Sequence, residues 1–294
     1  MAVMSNDKHL FHYDGTGGTG GTRIAAYRWP AQGNTSAVLQ VAHGMGEHAL
    51  RYLAPLQALR ERGVAIYAND HRGHGLTGEV LGDFGPGGFA AVVEDMARLS
   101  ELARREHPGR KLILLGHSMG SFAAQIYLLT HSRLIDGVVL SGSAALDLLP
   151  MPQDPNVSAL EAFNAPFEPA RTPFDWLSRD PREVDKYIAD PLCGFSMNAA
   201  SMQSIFSAAA PLFAPGALSQ IRPDLPIYIF SGDKDPVNGG LAWLKPLVER
   251  YGSAGIKDVT HDFYADGRHE MLNETNRAEV VAKLGAWIAR VAGW

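Results

Sequence analysis

Residues 111–120 read KLILLGHSMG, and this stretch decides the fold predicted for the 294-residue chain. Residues 111–115 are nearly continuously apolar, which predicts a buried strand, and the spacing of apolar residues over 119–131 predicts a helix. The pattern G-x-S-x-G falls between the two, at Gly116, Ser118 and Gly120. Glycines on both sides of a sharp turn let neighbouring backbone come close. Ser118 is therefore predicted to be a nucleophile, presented on a turn between strand and helix.

Short apolar runs alternate with helix-length segments along most of the chain. The apolar runs are 37–42, 64–68, 111–115, 137–140 and 226–230, with a further strand-like run at 257–264. The segments with helical apolar spacing are 52–62, 89–106, 119–131 and 273–292. This alternation is typical of βαβ units. We predict an α/β fold with a mostly parallel central sheet and helices on both faces.

The start of the chain has a different pattern. Residues 9–13 and 22–29 are strand-like and flank the glycine-rich stretch 14–21, which predicts an antiparallel hairpin. A phosphate-binding glycine loop must open a helix, whereas a strand-like run follows this one. A flexible turn is the favoured interpretation of the glycines.

Residues 146–222 interrupt the alternation and hold ten of the 18 prolines. They also carry many large apolar side chains: Phe163, Phe167, Phe174, Trp176, Phe195, Met197, Met202, Ile205, Phe206, Leu212 and Phe213. Proline-rich turns between short helices would explain this composition. We predict an inserted helical cap at 146–222 over a core made of 1–145 and 223–294, the alternative being a helical excursion without a binding role.

Composition excludes several classes of protein. Hydrophobic residues make up 46% of the chain, which is unlike a disordered segment. The balance of 26 basic and 31 acidic residues argues against nucleic acid as a partner. The single cysteine, Cys193, cannot form an internal disulfide, and no apolar run reaches the roughly 18 residues that span a membrane. We expect a soluble, cytoplasmic protein.

A serine hydroxyl needs a base, and the base needs a carboxylate to hold it. His269 lies in a loop between the run 257–264 and the last helix, where a base could return to the strand ends. Asp235 follows the run 226–230 and can project across the sheet edge. We prefer it over Asp233, which lies in a tight turn and is expected to cap local backbone amides. The chain order Ser118, Asp235, His269 is that of α/β-hydrolases.

Acyl transfer also requires donors for the developing oxyanion. One backbone amide is expected from Met119, the residue after the nucleophile. The other is expected from Met45, in the loop 43–48 (HGMGEH) that follows the run 37–42.

Neither a metal nor a cofactor is expected. The histidine pairs at 43 and 48 and at 71 and 74 lie in glycine-rich turns without a carboxylate cluster. A zinc motif at His269-Glu270 is excluded because Asn273 stands where H-E-x-x-H requires a second histidine.

From about residue 10 to its end, the chain resembles the monoglyceride lipase and lysophospholipase group of α/β-hydrolases, also described as serine aminopeptidase-like hydrolases. The resemblance is carried by HGMGEH at 43–48, DHRGHG at 70–75, GHSMG at 116–120, GDKD at 232–235 and GRHE at 267–270. It implies an α/β-hydrolase fold with a catalytic triad of Ser118, Asp235 and His269 and an oxyanion hole of the Met45 and Met119 amides. In the cap-like stretch 184–192, Tyr187 matches a family tyrosine that lies near the polar head of a bound monoacylglycerol.

These observations predict a serine hydrolase that cleaves carboxylic esters through an acyl-enzyme, with monoacylglycerols or similar lipid-like esters as substrates. The apolar cap favours an acyl chain as the ligand and is expected to make transient contact with membrane surfaces.

Three alternatives stay open. One is a general short- to medium-chain carboxylesterase. Another is a serine aminopeptidase, in which Glu161, Glu168 and Asp175 would hold a cationic amino terminus. The third is a catalytically silent binding protein.

Overall fold

The computed structural model describes residues 9–16, 21–149 and 159–294, and these contain a sheet of eight strands. The strands are β1 Leu10–Asp14, β2 Arg23–Trp29, β3 Ala37–Ala42, β4 Val64–Asn69, β5 Lys111–His117, β6 Gly137–Ser141, β7 Ile227–Gly232 and β8 Val259–Tyr264. Their order across the sheet is β1-β2-β4-β3-β5-β6-β7-β8. Strand β2 pairs antiparallel with β1 and β4, and all other pairs are parallel. The predicted hairpin and mostly parallel sheet are therefore confirmed, although residues 17–20 of the glycine-rich turn lie outside the described residues.

The helices lie between strands along the chain, except the last helix, which follows β8. They are α1 Gln57–Glu61, α2 Gly88–Glu106, α3 Met119–His131, α4 Ala159–Ala162, α5 Pro181–Ala189, α6 Ala199–Ala209, α7 Lys245–Ser253 and α8 Arg277–Ala292. Helices α2 and α3 match the prediction closely. Helix α8 begins four residues later than predicted, because Glu274 accepts hydrogen bonds from the backbone of Arg179 and Arg268 and holds the chain in a loop there.

The prediction of a helix over 52–62 was wrong for its first half. Only Gln57–Glu61 is α-helical, after a 3₁₀ turn at Ala49–Tyr52. Pro55 lies between them, and a proline disfavours helical backbone in the residue before it. Leu56 and Leu59 are buried, so the apolar spacing reflects packing of turns against the core.

Alternate side chains of the sheet enter two apolar layers. Leu112 and Leu114 of β5 belong to the layer that contains α2 and α3, whereas Ile113 and Leu115 belong to the layer that contains α1 and α8. Strands β3, β4, β6 and β7 are buried along their whole length. The expectation of central strands covered on both faces is confirmed.

The described part of 146–222 contains α4, α5, α6 and several 3₁₀ turns. Its backbone is tied to loops at the carboxyl ends of the parallel strands. Gly194 donates to the carbonyl of Gly46, Asn198 to that of Gly82, and Glu270 to that of Leu177. Of the eleven large apolar residues that predicted a cap, only Phe213 is exposed. The division into a core and a cap stays a prediction that is compatible with this arrangement.

Within the described residues, no helix combines the length and the apolar character that crossing a membrane requires.

A buried group of three histidines joins the loops after β3 and β4. The ring of His43 lies 4.2 Å from that of His71 and 5.2 Å from that of His74, measured between centroids. His43 Nε2 accepts the backbone N–H of His71 at 2.9 Å, and the Nδ1 atoms of His43 and His74 face backbone carbonyls. His48, in the same loop as His43, is not part of this group: its Nε2 lies 2.9 Å from Asp190 Oδ2. Burial lowers the pKa of His71 to about 3 and that of His74 to about 4, so the group is neutral near pH 7.

This group makes stability depend on pH. His74 has a folded pKa of about 4 against an ordinary value of 6.5, so the unfolded chain binds more protons than the folded protein between these values. The free energy of unfolding should therefore fall as the pH is lowered from 6.5 to about 4. We expect His74→Phe to make the melting temperature less dependent on pH over this window, whatever its effect at pH 7. If the melting temperatures of variant and wild type changed equally with pH from 4 to 8, this account would be contradicted.

Candidate active site

Ser118 occupies a strained turn between β5 and α3. Its backbone angles are φ 52° and ψ −123°, a conformation that costs a non-glycine residue about 1–3 kcal/mol. The turn is held by a bond from Ser118 N to the carbonyl of Ser141 (2.9 Å) and by one from Ser121 Oγ to the carbonyl of Ser118 (2.6 Å). A Cβ at Gly120 would overlap the carbonyl oxygen of Ala42, which explains the glycine. The Ser118 side chain is left partly exposed towards a cavity.

His269 and Asp235 form a buried pair. Nδ1 of His269 lies 2.9 Å from both carboxylate oxygens of Asp235. The carboxylate also accepts bonds from the backbone N–H of Val237 (2.9 Å), from Ser231 Oγ (3.1 Å) and from Asn238 Nδ2 (3.2 Å). Because Nδ1 faces Asp235, Nε2 is the ring nitrogen of His269 that is available to another group.

The two candidate aspartates have separate partners. Asp233 accepts the backbone N–H of Asp266 at 2.8 Å and lies 3.5 Å from Lys234 Nζ. It binds a backbone amide, but this amide is 33 residues away and is not in its own turn. In the local turn it is Asp235 that accepts a backbone N–H, that of Val237. Of the two, Asp235 contacts His269.

Rings and backbone confine His269. Its centroid lies 4.9 Å from that of Trp176 and 4.6 Å from that of His117. A Cβ at Gly142 would lie 2.8 Å from His269 Cε1, so the ring packs directly on that backbone. Burial lowers the pKa of His117 to about 4, so its ring is neutral near pH 7. His269 therefore has little freedom to rotate away from Asp235.

Ser118 and His269 open into the same cavity. The cavity is lined by Met45 and Met119, whose backbone amides are the predicted oxyanion donors, and by Tyr187. Met119 is the first residue of α3, and the N–H groups of a first helical turn have no partner within the helix. The structure thus brings together all six residues predicted for the site, with Asp235 behind His269.

Most of the cavity wall is apolar. Residues 159–222 supply Leu160, Phe163, Trp176, Leu177, Met202, Ile205 and Phe206. Leu146 stands at the start of the predicted cap, and the predicted core adds Phe122, Val237 and Trp243. Such a wall is suited to a hydrocarbon chain.

Several polar residues of the site had no role assigned from sequence. Ser231 and Asn238 hold Asp235. Glu47 and Glu270 lie in the two loops that carry Met45 and His269, and Arg51 bonds to both. Their only signal in the sequence was a position in or near the motifs, which does not indicate a contact across the fold.

The family model described as serine aminopeptidase, S33, matches residues 33–276. The chain belongs to this family of hydrolases.

Relatives of this S33 hydrolase include enzymes named for lipid esters. This chain is 32% identical to a monoacylglycerol lipase of Mycolicibacterium smegmatis, over 98% of its own length and 99% of that protein. It is 28% identical to a monoglyceride lipase of Mus musculus, over 89% and 85% of the two chains. A solved carboxyl esterase of Bacillus coagulans superposes with a TM-score of 0.84 at 26% identity, over 96% of this chain and 98% of the esterase. The α/β-hydrolase fold and the family resemblance are confirmed.

The pairing of Asp235 with His269 generates a test with a matched control. Asp235→Asn keeps the size of the side chain but no longer holds His269 with Nδ1 protonated, so kcat for an ester should fall by about 10³–10⁴. Asp233→Asn changes the same residue type two positions away and should leave kcat within about twofold, because Asp233 does not contact His269 and the asparagine oxygen can still accept the backbone N–H of Asp266. Steady-state hydrolysis of a p-nitrophenyl ester measures both. Equal losses in the two variants would contradict the assignment.

Proposed function

We propose that this S33 hydrolase cleaves monoacylglycerols through an acyl-enzyme. The observation that carries the proposal is the apolar cavity into which Ser118 and His269 both open. The names of its relatives, monoacylglycerol lipase and monoglyceride lipase, support the same substrate class. The reaction is the hydrolysis of a carboxylic ester, and it needs no cofactor.

Each residue of the site has a step in this mechanism. His269 Nε2 removes the proton of Ser118 as its oxygen attacks the ester carbonyl, and Asp235 stabilises the imidazolium that forms. The oxyanion accepts hydrogen bonds from the backbone amides of Met45 and Met119. His269 then returns the proton to the leaving alcohol, and water, activated by the same base, releases the fatty acid.

The polar end of the cavity is suited to a glycerol head group. Tyr187 is buried there, and its ring lies 4.9 Å from the guanidinium carbon of Arg51. Its hydroxyl lies near the backbone of Gly46, within the loop that carries Met45. We assign Tyr187 to the head group and the apolar wall to the acyl chain.

An aminopeptidase activity has less support. Within the part of the chain that the structure describes, the carboxylates lining the cavity are Glu47 and Glu270, and both are bonded to Arg51. Asp175 accepts bonds from Thr172 and Arg171, and Glu168 is exposed and bonded to the backbone of Ala170. The side chain of Glu161 lies outside the described residues.

Hydrolysis of an ester panel tests the proposal. The panel runs from acetyl to palmitoyl esters and includes monoacylglycerols and a lysophospholipid, with Ser118→Ala as the blank. We expect turnover that depends on Ser118 and is highest for medium or long acyl chains, because the cavity wall is apolar. Highest turnover of acetyl or butyryl esters would make the protein a short-chain esterase. Ligand binding without turnover in the wild type would support the silent binding protein.

We also propose that residues 146–222 contact membrane surfaces transiently. Most apolar side chains in the described part of this segment are buried or partly buried, but Ile188 and Phe213 are 47% and 43% exposed. Exposed apolar side chains beside a lipid-binding cavity would enter the interfacial region of a bilayer.

Sedimentation with phosphatidylcholine vesicles tests this contact. The double variant Ile188→Ser with Phe213→Ser should lower the fraction of protein bound to vesicles at least about twofold. Each serine removes apolar side-chain area that the membrane interface would otherwise bury. Val80→Ser is the matched control, since Val80 is 62% exposed and lies outside this segment. No binding by wild type, or equal losses in control and double variant, would refute the contact.

A further inference from the structure

Three charged side chains without a role in the mechanism above lie between the two loops that carry its key groups. The loop 43–48, here called the oxyanion loop, contains Glu47. The loop 265–270, here called the histidine loop, contains Glu270. The two carboxylates are 3% and 5% exposed, and Arg51 bonds to both. Because burying charges is costly even when they are paired, this group is expected to do more than fill space beside the site.

Glu47 restrains the backbone of the oxyanion loop. Its Oε1 accepts the backbone N–H of Gly44 at 2.5 Å and the hydroxyl of Tyr52 at 2.8 Å. The Gly44 N–H bond fixes the residue that precedes Met45, whose amide is the proposed oxyanion donor. A Cβ at Gly44 would lie 3.1 Å from the Cβ of Ser118, so this restrained backbone lies directly beside the nucleophile.

Arg51 extends the restraint to the histidine loop. Its Nη1 donates to Glu47 Oε2 at 2.6 Å and to Glu270 Oε1 at 2.7 Å, and its Nη2 donates to Glu270 Oε2 at 2.8 Å. Glu270 is the residue after His269 and is further held by Asn273 Nδ2 at 2.9 Å. Burial favours the protonated form of Glu270, but Arg51 outweighs burial and holds the pKa of this carboxyl well below its usual value.

We propose that Glu47 is a positioning residue for ester hydrolysis: it holds the oxyanion loop through Gly44 and links it, through Arg51 and Glu270, to the histidine loop. This inference rests on the proposed function. A donor that is already oriented when charge develops needs no reorganisation in the transition state. Loss of the restraint should therefore slow the chemical step and leave substrate binding largely unchanged.

The test is Glu47→Gln, assayed with a monoacylglycerol and a p-nitrophenyl ester of the same acyl chain. Glutamine keeps the size of the side chain. Its NH₂ group cannot accept the hydrogen bonds that Gly44, Arg51 and Tyr52 donate to the carboxylate of Glu47. Complete loss of an oxyanion donor costs about 10²–10³ in rate, so a loosened donor should cost about 10- to 100-fold in kcat. We expect this loss for both esters, with KM within about threefold, as for an interaction made only in the transition state. Glu106→Gln is the control: it weakens the exposed pair with Arg28, its amide oxygen can still accept the hydroxyl of Tyr67, and kcat should be unchanged because Glu106 does not line the cavity.

Two results with folded Glu47→Gln would overturn the inference. One is an unchanged kcat for both esters. The other is a raised KM for the glycerol ester alone, which would make Glu47 a contact of the head group and not a positioning residue.

Arg51→Lys gives a second test that keeps the positive charge in place. The single ammonium nitrogen of lysine cannot make two parallel hydrogen bonds to Glu270 while it also bonds to Glu47. We expect kcat to fall about 3- to 10-fold, equally for both esters, because a bond between the two loops is weakened. Melting curves establish that the variant is folded, and an unchanged kcat in a folded Arg51→Lys would overturn the inference.

The failure of the proposed function can be recognised separately. A fluorophosphonate probe should label wild type but not Ser118→Ala. If wild type is neither labelled nor active on any ester, the proposed function and this inference both fail. If wild type is labelled and active but Glu47→Gln is labelled equally fast, only the positioning role fails.

Discussion

The close approach of Gly120, in the first turn of α3, to the carbonyl oxygen of Ala42, at the end of β3, is the contact on which the site depends. A side chain at residue 120 would force the helix away from the sheet. Strands β3 and β5 are parallel neighbours, so their carboxyl ends meet at one edge. The loop after Ala42 therefore starts beside the turn that carries Ser118. The strain at Ser118 is tolerated because the packed sheet and helix on either side hold this turn.

Polar bonds then set the positions of the loops at this edge. Asp235 bonds to His269 across 34 residues of chain, and Arg51 bonds to Glu270 across 219. In a site screened from water such bonds are strong, and an unpaired buried group would be costly. The sheet places the loops near one another, and these buried pairs select one arrangement of them. The precision of the site thus depends on a few charged and hydrogen-bonded side chains outside regular structure.

The segment 146–222 completes the site from the opposite side. Trp176 packs on His269, and Leu177 accepts a backbone bond from Glu270, so this segment contacts the base as well as the cavity. Large apolar residues that would be a liability on a surface are turned towards the cavity or the core. The same residues therefore cover the reacting groups and form the wall for an acyl chain.

By itself, the sequence determined the layered α/β architecture and predicted six residues for the site, which the fold brings together. Continuous apolar runs, helical spacing and a glycine-flanked serine are local patterns, so their meaning does not depend on the rest of the chain. Local patterns misled at 52–62, where Pro55 and packing against the core produce turns with a helical spacing. Only the tertiary structure decided that Glu47, Arg51 and Glu270 form one buried group and that Asp233 bonds elsewhere. These pairings join residues far apart in the chain, and which distant charges meet depends on how the loops pack at the sheet edge.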